Sequence, residues 1–245
     1  MREGTVDAAF LTPIDYARES SLYYVVPRLV VASRQGDRSV TLHFRDGIKK
    51  VATVAIDPSS VSEIILAQIM LAEQFDIHPQ FVPYQGALEG ALAKADAALV
   101  VGDDSIRLAQ NRKDFLDLIE EWVDLTGLPY VHGFWTGREH ALTADEISGI
   151  QQQCADGLDL LDEIAATAPE HHDLGSLTHF DVRDYLSGLT YEFTGDVADG
   201  VKEFFRYAFY HGILPDVPEL QYFDTSATDE NEDLPAAPPG TPSLH

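Results

Sequence analysis

Three hydroxyls fall within four residues in the run Asp57-Pro58-Ser59-Ser60-Val61-Ser62. The run follows an apolar stretch, Val51 to Ile56. It precedes Glu63 to Gln74, where Ile64, Ile65, Ile69 and Ala72 recur at helical spacing. A strand that turns straight into a helix leaves the first backbone N–H groups of that helix without intrahelical partners. With hydroxyls beside them, such groups hold an anion, for instance a carboxylate. Ser60 with Glu63 three residues on also fits a capping box, in which the helix start satisfies itself. On the residues alone both readings stay open.

Other candidates are sparser. Gly102-Asp103-Asp104 ends the apolar run Ala97 to Val101, the place where open α/β sheets present their ligands. Either aspartate can equally cap the next helix. Thr12 and Pro13 open a short helix, with proline suited to the first helical position. His43 and His132 read as structural histidines, since no converging partner is visible. His171-His172 has no third ligand at metal spacing. Cys154 is the single cysteine, which rules out an internal disulfide and a Cys-rich metal site; it reads as a small core residue.

The elements that must position these residues alternate in type. Val6 to Leu11 reads as a strand, and Tyr23 to Ser33 as a strand pair or a bent strand interrupted at Pro27. Ser39 to Phe44 alternates, with Val40, Leu42 and Phe44 on one face. Strand signals at 80–84 and 97–101 bracket a helix at 88–94, so βαβ units and a parallel sheet are expected. Phe115 to Asp124 reads as helical. Tyr130 to Thr136 reads as a strand returning beside Ser39 to Phe44. Thr143 with Glu146 opens a helix that keeps Ile147, Ile150, Cys154, Leu158, Leu161 and Ile164 on one face. Helices over 181–189 and 197–210 follow, closed by Gly212 and Pro215. Residues 224–245 are acidic and proline-rich and read as a disordered tail.

This layout is α/β and bilobal. Residues 1–46 with 130–223 form one lobe, 47–129 the other, and two hinge strands join them around a ligand cleft. The formal net charge is -25, from 41 acidic and 16 basic residues among 245. Such a surface repels nucleic acid and anionic membranes. No apolar run approaches the roughly 20 residues of a membrane span. No secretory signal is visible after Met1, so a cytoplasmic protein is expected, as a monomer or homodimer.

VDAAFLTPIDYAR, VASRQGDRSVTLHF, AIDPSSVSEIILAQIML, ADAALVVGDDSIR and EEWVDLTGLPYVHGFW resemble, in order and spacing, the chorismate dehydratases of the futalosine route to menaquinone. The resemblance runs from about Thr5 to Leu214. It implies a type II periplasmic-binding-protein fold, no metal and no organic cofactor. The reaction it implies is loss of water from chorismate to give 3-[(1-carboxyvinyl)oxy]benzoate. The family's chain opens with a further βαβ piece bearing an asparagine-containing loop, which the resemblance places before Thr5. The segment around Trp135 looks more like the dehydratase than like the sister 1,4-dihydroxy-6-naphthoate synthase. A carboxylate-binding protein of the same fold is the non-enzymatic alternative.

Chorismate is a dianion, so two anion pockets are needed. Under the resemblance Ser59, Ser60 and Ser62 hold one carboxylate, and Thr12 faces the other from the first lobe. Ser39 is expected to hydrogen-bond the leaving hydroxyl or a carboxylate, Asp103 to act at the strand end, and Arg38 to add positive charge. No general base stands out, and a carboxylate of the substrate can serve.

Overall fold

The computed structural model describes residues 5–171 and 175–224. The acidic tail from 225 onward and His172 lie outside the described residues. Two sheets organise the chain. Strand β1 (Ala8–Leu11) leads into helix α1 (Pro13–Ala17), then the long strand β2 (Tyr23–Ser33). β2 is one bent strand: its pairing slips between Val25 and Val30, around Pro27 and the left-handed Arg28. Pro27 has no N–H to give the ladder, so the bend falls there.

After β2 the chain crosses to the second sheet, which holds β3 (Val40–Phe44), β4 (Thr53–Ile56), β5 (Gln80–Pro83), β6 (Ala97–Val101) and β7 (Phe115–Asp117) in the order β5-β4-β6-β3-β7. Strands β4, β5 and β6 are parallel, linked by α2 (Val61–Phe75) and α3 (Leu88–Lys94), as the βαβ reading requires. Parallel strands with helices on their faces are buried on both sides, and Val54, Ala55 and Ile56 accordingly are. α4 (Asp103–Asn111) follows β6 directly. α5 (Leu118–Thr126) then leads back to the first sheet through β8 (Tyr130–Arg138).

The first sheet has the order β1-β8-β2-β9, where β9 is Leu189–Thr190. Its helices are α6 (Ala144–Asp159), α7 (Leu161–His171), α8 (His179–Gly188) and α9 (Gly195–Tyr210). The core between the sheets centres on Trp122, whose indole N–H reaches the Pro129 carbonyl at 3.3 Å and whose ring meets Tyr130, Phe204 and Tyr207 edge-on.

Four expectations need correction. Phe115 to Asp117 is a strand beside β3, and the helix begins only at Leu118. Tyr130 to Thr136 does not return beside β3; it pairs with β1 and β2, while β3 lies between β6 and β7. The second sheet therefore begins at Val40, and the crossings are residues 34–39 and 127–129. The long helix after Thr143 keeps its capping box but breaks at Leu160, and Leu158 and Ile164 are exposed. Helix α8 starts two residues earlier than the periodicity placed it, because Thr178 and Asp181 form a second capping box.

Candidate functional site

The second sheet presents the C-terminal ends of its parallel strands to one side, and the candidate residues gather there. The Ser39 carbonyl accepts the Gly102 amide at 2.7 Å, so the start of β3 and the end of β6 are locked together. Gly102 has φ 70, a left-handed conformation that glycine adopts without strain, and it turns the chain directly into α4. Asp103 is the first residue of that helix, exposed, with Gly102 rather than an aspartate as the cap. Ser39 and Asp103 are thus neighbours in space. Tyr185 of α8 joins them: its phenol interacts with Ser39 and feels the charges of Asp37 and Asp103. Burial first, then the Asp37 charge, push its phenol well above the ordinary range. Asp103 and Tyr185 line a cavity of about 290 Å³ between α4 and the helices α7 and α8, so helices attached to both sheets contribute to it.

Ser60 lies on the other side of β6. It is the N-cap of α2, but its hydroxyl makes no bond to the helix, so the anticipated capping box does not form. Glu63 is in the first turn without reaching back. Ser59 instead folds onto Asp57, giving its N–H (2.9 Å) and its hydroxyl (2.8 Å) to the same carboxylate oxygen. These bonds hold the Asp57 carboxyl below its usual range. Ser62 is buried, and its hydroxyl has no partner among the described residues. An unpaired buried hydroxyl costs about 1–3 kcal/mol. Ser60 opens into a cavity of about 470 Å³ that also has Tyr84, Gln85, Asp104 and Arg107 on its walls. Arg107 is ion-paired to Asp104. Adjacent strands lie about 4.8 Å apart, so the two-strand step from β3 to β4 separates the Ser39 and Ser60 ends by on the order of 10 Å.

Two expected residues are not brought to this place by their polar contacts. The Thr12 hydroxyl donates to the Asp15 carboxylate at 2.9 Å and accepts the Asp15 amide, so it serves as the cap of α1. Arg38 is exposed with φ 62, and its amide donates to Asp117 at 2.8 Å. Asp117 caps α5 as well, and burial, with the Asp37 charge adding to it, pushes its carboxyl up to about 6.

Two residues were missed at the sequence level. Asp37 sits at the first crossing and contacts Ser39, Ser33 and His132. Its signal was the Asp-x-Ser spacing of a turn in which an aspartate bonds the amide two residues on. Tyr185 had no local signal, because its proximity to Ser39 is purely tertiary. His43 is structural: its Nε2 meets Thr41 Oγ1 at 3.0 Å, and Thr41 meets Ser105 at 2.6 Å, all fully buried. Cys154 is half-buried and faces an apolar hollow of about 860 Å³ beside Leu29, Trp135, Leu158 and Ile164, so its helix face is only partly core. Among the described residues no three metal-ligating side chains converge, and no helix is long and apolar enough to cross a membrane.

Solved structures share this arrangement at low identity. Protein AF1704 from Archaeoglobus fulgidus superposes with a TM-score of 0.66 at 15% identity, covering 87% of this chain and 82% of the other. The Candida albicans CA3427 gene product, described as having the generic periplasmic binding protein fold, gives 0.60 at 14%, covering 91% and 83%. An ABC transporter protein from Parabacteroides distasonis gives 0.60 at 17%, covering 89% and 83%. The fold is therefore the bilobal periplasmic-binding-protein type. A family model described as menaquinone biosynthesis matches residues 1–210. With that span covering most of its length, the chain belongs to the menaquinone-biosynthesis family.

Proposed function

We propose that the protein is a cytoplasmic hydro-lyase that converts chorismate to 3-[(1-carboxyvinyl)oxy]benzoate. The observation that carries this reading is the Ser39–Gly102 bond, which sets Ser39 beside Asp103 at the start of α4, two strand steps from a helix start where the Ser60 hydroxyl caps nothing. A dianion whose ring hydroxyl lies across the ring from one carboxylate fits that spacing. In this reading the N–H groups and hydroxyls at the start of α2 take one carboxylate, with Arg107 beside them. Ser39 and Tyr185 hold the ring hydroxyl. A ring C–H bond breaks and its electron pair becomes a ring π bond as the neighbouring C–O bond breaks. A substrate carboxylate receives the proton, the hydroxyl leaves with its electron pair, and together they make water. The ring becomes aromatic, so the protein's work is to position and enclose rather than to supply a strong base.

The net charge of -25 works against dianion binding, which makes these local N–H donors the decisive attraction. Incubating the protein with chorismate and following both its loss and the aromatic product by proton NMR tests the proposal. Stoichiometric product supports it. Tight binding without turnover would favour a carboxylate-binding role, and a naphthoate product from a larger substrate would favour the sister enzyme.

A further inference from the structure

The crossing from β2 to β3 carries a carboxylate with every position occupied. One oxygen of Asp37 accepts the Ser39 amide at 2.8 Å and the Ser39 hydroxyl at 2.7 Å. The other accepts the Ser33 hydroxyl at 2.5 Å and contacts His132 Nε2 at 3.0 Å. Ser33 ends β2 and His132 lies on β8, so this half of the carboxylate is anchored in the first sheet. Ser39 directly precedes β3 of the second. The Asp37 side chain is 11% exposed. Burial alone would raise its pKa, yet the bond and charge of His132, with the two serine hydroxyls, bring it below the ordinary carboxylate range. Asp37 is therefore ionised at neutral pH and its lone pairs are committed.

An aspartate that only shapes a turn needs just the bond to the amide two residues on. Here the same oxygen also takes the hydroxyl hydrogen of Ser39. That fixes one of the three staggered side-chain positions open to a serine. It also leaves the Ser39 oxygen as an acceptor, polarised by the carboxylate behind it. Within the chorismate reading, on which this inference rests, that acceptor is what orients the hydroxyl that departs.

We infer that Asp37 is the positioning residue for Ser39, aligning its hydroxyl from an anchor of Ser33 and His132 in the opposite sheet.

The test compares wild type, Asp37→Ala, Asp37→Asn, Ser39→Ala and the Asp37→Ala/Ser39→Ala pair, each assayed with chorismate and each checked for its melting temperature. Asp37→Ala should lower kcat by at least tenfold with KM within about threefold, since a misplacement of about 1 Å can cost on the order of a hundredfold. Asp37→Asn should recover most of that loss, because an amide oxygen still accepts from Ser39. The double variant should match Ser39→Ala alone, since Asp37 acts through Ser39. The inference fails if Asp37→Ala keeps the wild-type kcat while Ser39→Ala does not, or if the two losses multiply. Should Asp37→Ala not fold, Ser33→Ala removes one anchor and must show the same kcat loss in smaller measure. If wild type itself does not act on chorismate, the functional reading falls. The positioning inference is then judged on a crystal structure of Asp37→Ala or, if that does not fold, of Ser33→Ala. Ser39 in several rotamers supports it, and one unchanged rotamer overturns it.

Discussion

The Gly102 amide donates to the Ser39 carbonyl at 2.7 Å. That bond is the last rung of the β3–β6 ladder, whose register runs from Phe44 with Ala97 to Val40 with Val101. It makes the placement of Ser39 a property of the sheet, and a rigid strand end holds a reacting group better than a loop does. Ser39→Ala should keep this backbone bond and lose only the hydroxyl. We expect stability to fall by about 1 kcal/mol, and chorismate turnover by about a hundredfold. Steady-state kinetics alongside thermal melting separates the two effects; equal turnover would remove Ser39 from the chemistry.

Ser60 should behave as a ligand-facing residue. Loss of a working cap costs about 0.5–2 kcal/mol, but the Ser60 hydroxyl caps nothing. Ser60→Ala should therefore leave the melting temperature nearly unchanged and weaken binding of 3-[(1-carboxyvinyl)oxy]benzoate about tenfold, or about 1.4 kcal/mol. Titration calorimetry reads the affinity. A stability loss with unchanged affinity would return Ser60 to a capping role.

Much of this arrangement was legible beforehand. The βαβ units showed because β4 and β6 are continuous apolar runs separated by helical periodicity. The three-residue strand β7 did not, since Phe115 and Leu116 continue the apolar spacing of α5 and only its cap, Asp117, marks the boundary. The partner of β8 was misjudged because periodicity reports which face is buried and says nothing of which strand lies alongside. The break at Leu160 is announced only by Gly157 three residues earlier, whose carbonyl accepts the Leu160 amide. Ser60 and Glu63 had the right types for a capping box, yet Ser60 has ψ 59 rather than the extended value typical of a cap. Asp37 and Tyr185 reach Ser39 through tertiary contacts that no local pattern carries.

His43 should set the acid limb of the stability curve. Burial, with Arg112 nearby, lowers its pKa to about 4, against about 6.5 when unfolded. The unfolded chain then binds a proton that the folded chain refuses. Stability is complete above about pH 6.5 and declines as pH falls toward 4, by about 3 kcal/mol in all. His43→Phe should flatten that limb in urea unfolding series between pH 4 and 7. An unchanged slope would show that His43 takes up its proton without unfolding.

Gly200 should be intolerant of any side chain. A Cβ there would sit 2.3 Å from the Pro129 carbonyl, at the second crossing between the sheets. Replacing a helical glycine by alanine normally stabilises by up to about 1 kcal/mol. In α9 the sign should reverse, with a loss of about 2–3 kcal/mol from overpacking. A drop of roughly 5–10 °C in melting temperature is the expected reading.

The order in which the two sheets can form follows from their pairing. Every strand of the second sheet lies between Val40 and Asp117, so its ladder closes through contacts of short or moderate sequence separation. In the first sheet Ala8 must wait for Gly137, and Ser33 for Tyr130 and then Leu189. Closing such long loops is entropically slow. On a ribosome the second sheet emerges whole while the first has only β1 and β2, two apolar strands with no ladder to join. Refolding kinetics should accordingly show early amide protection in β4 and β6 and late protection in β1, and chaperones that hold extended apolar segments have their opportunity in that interval.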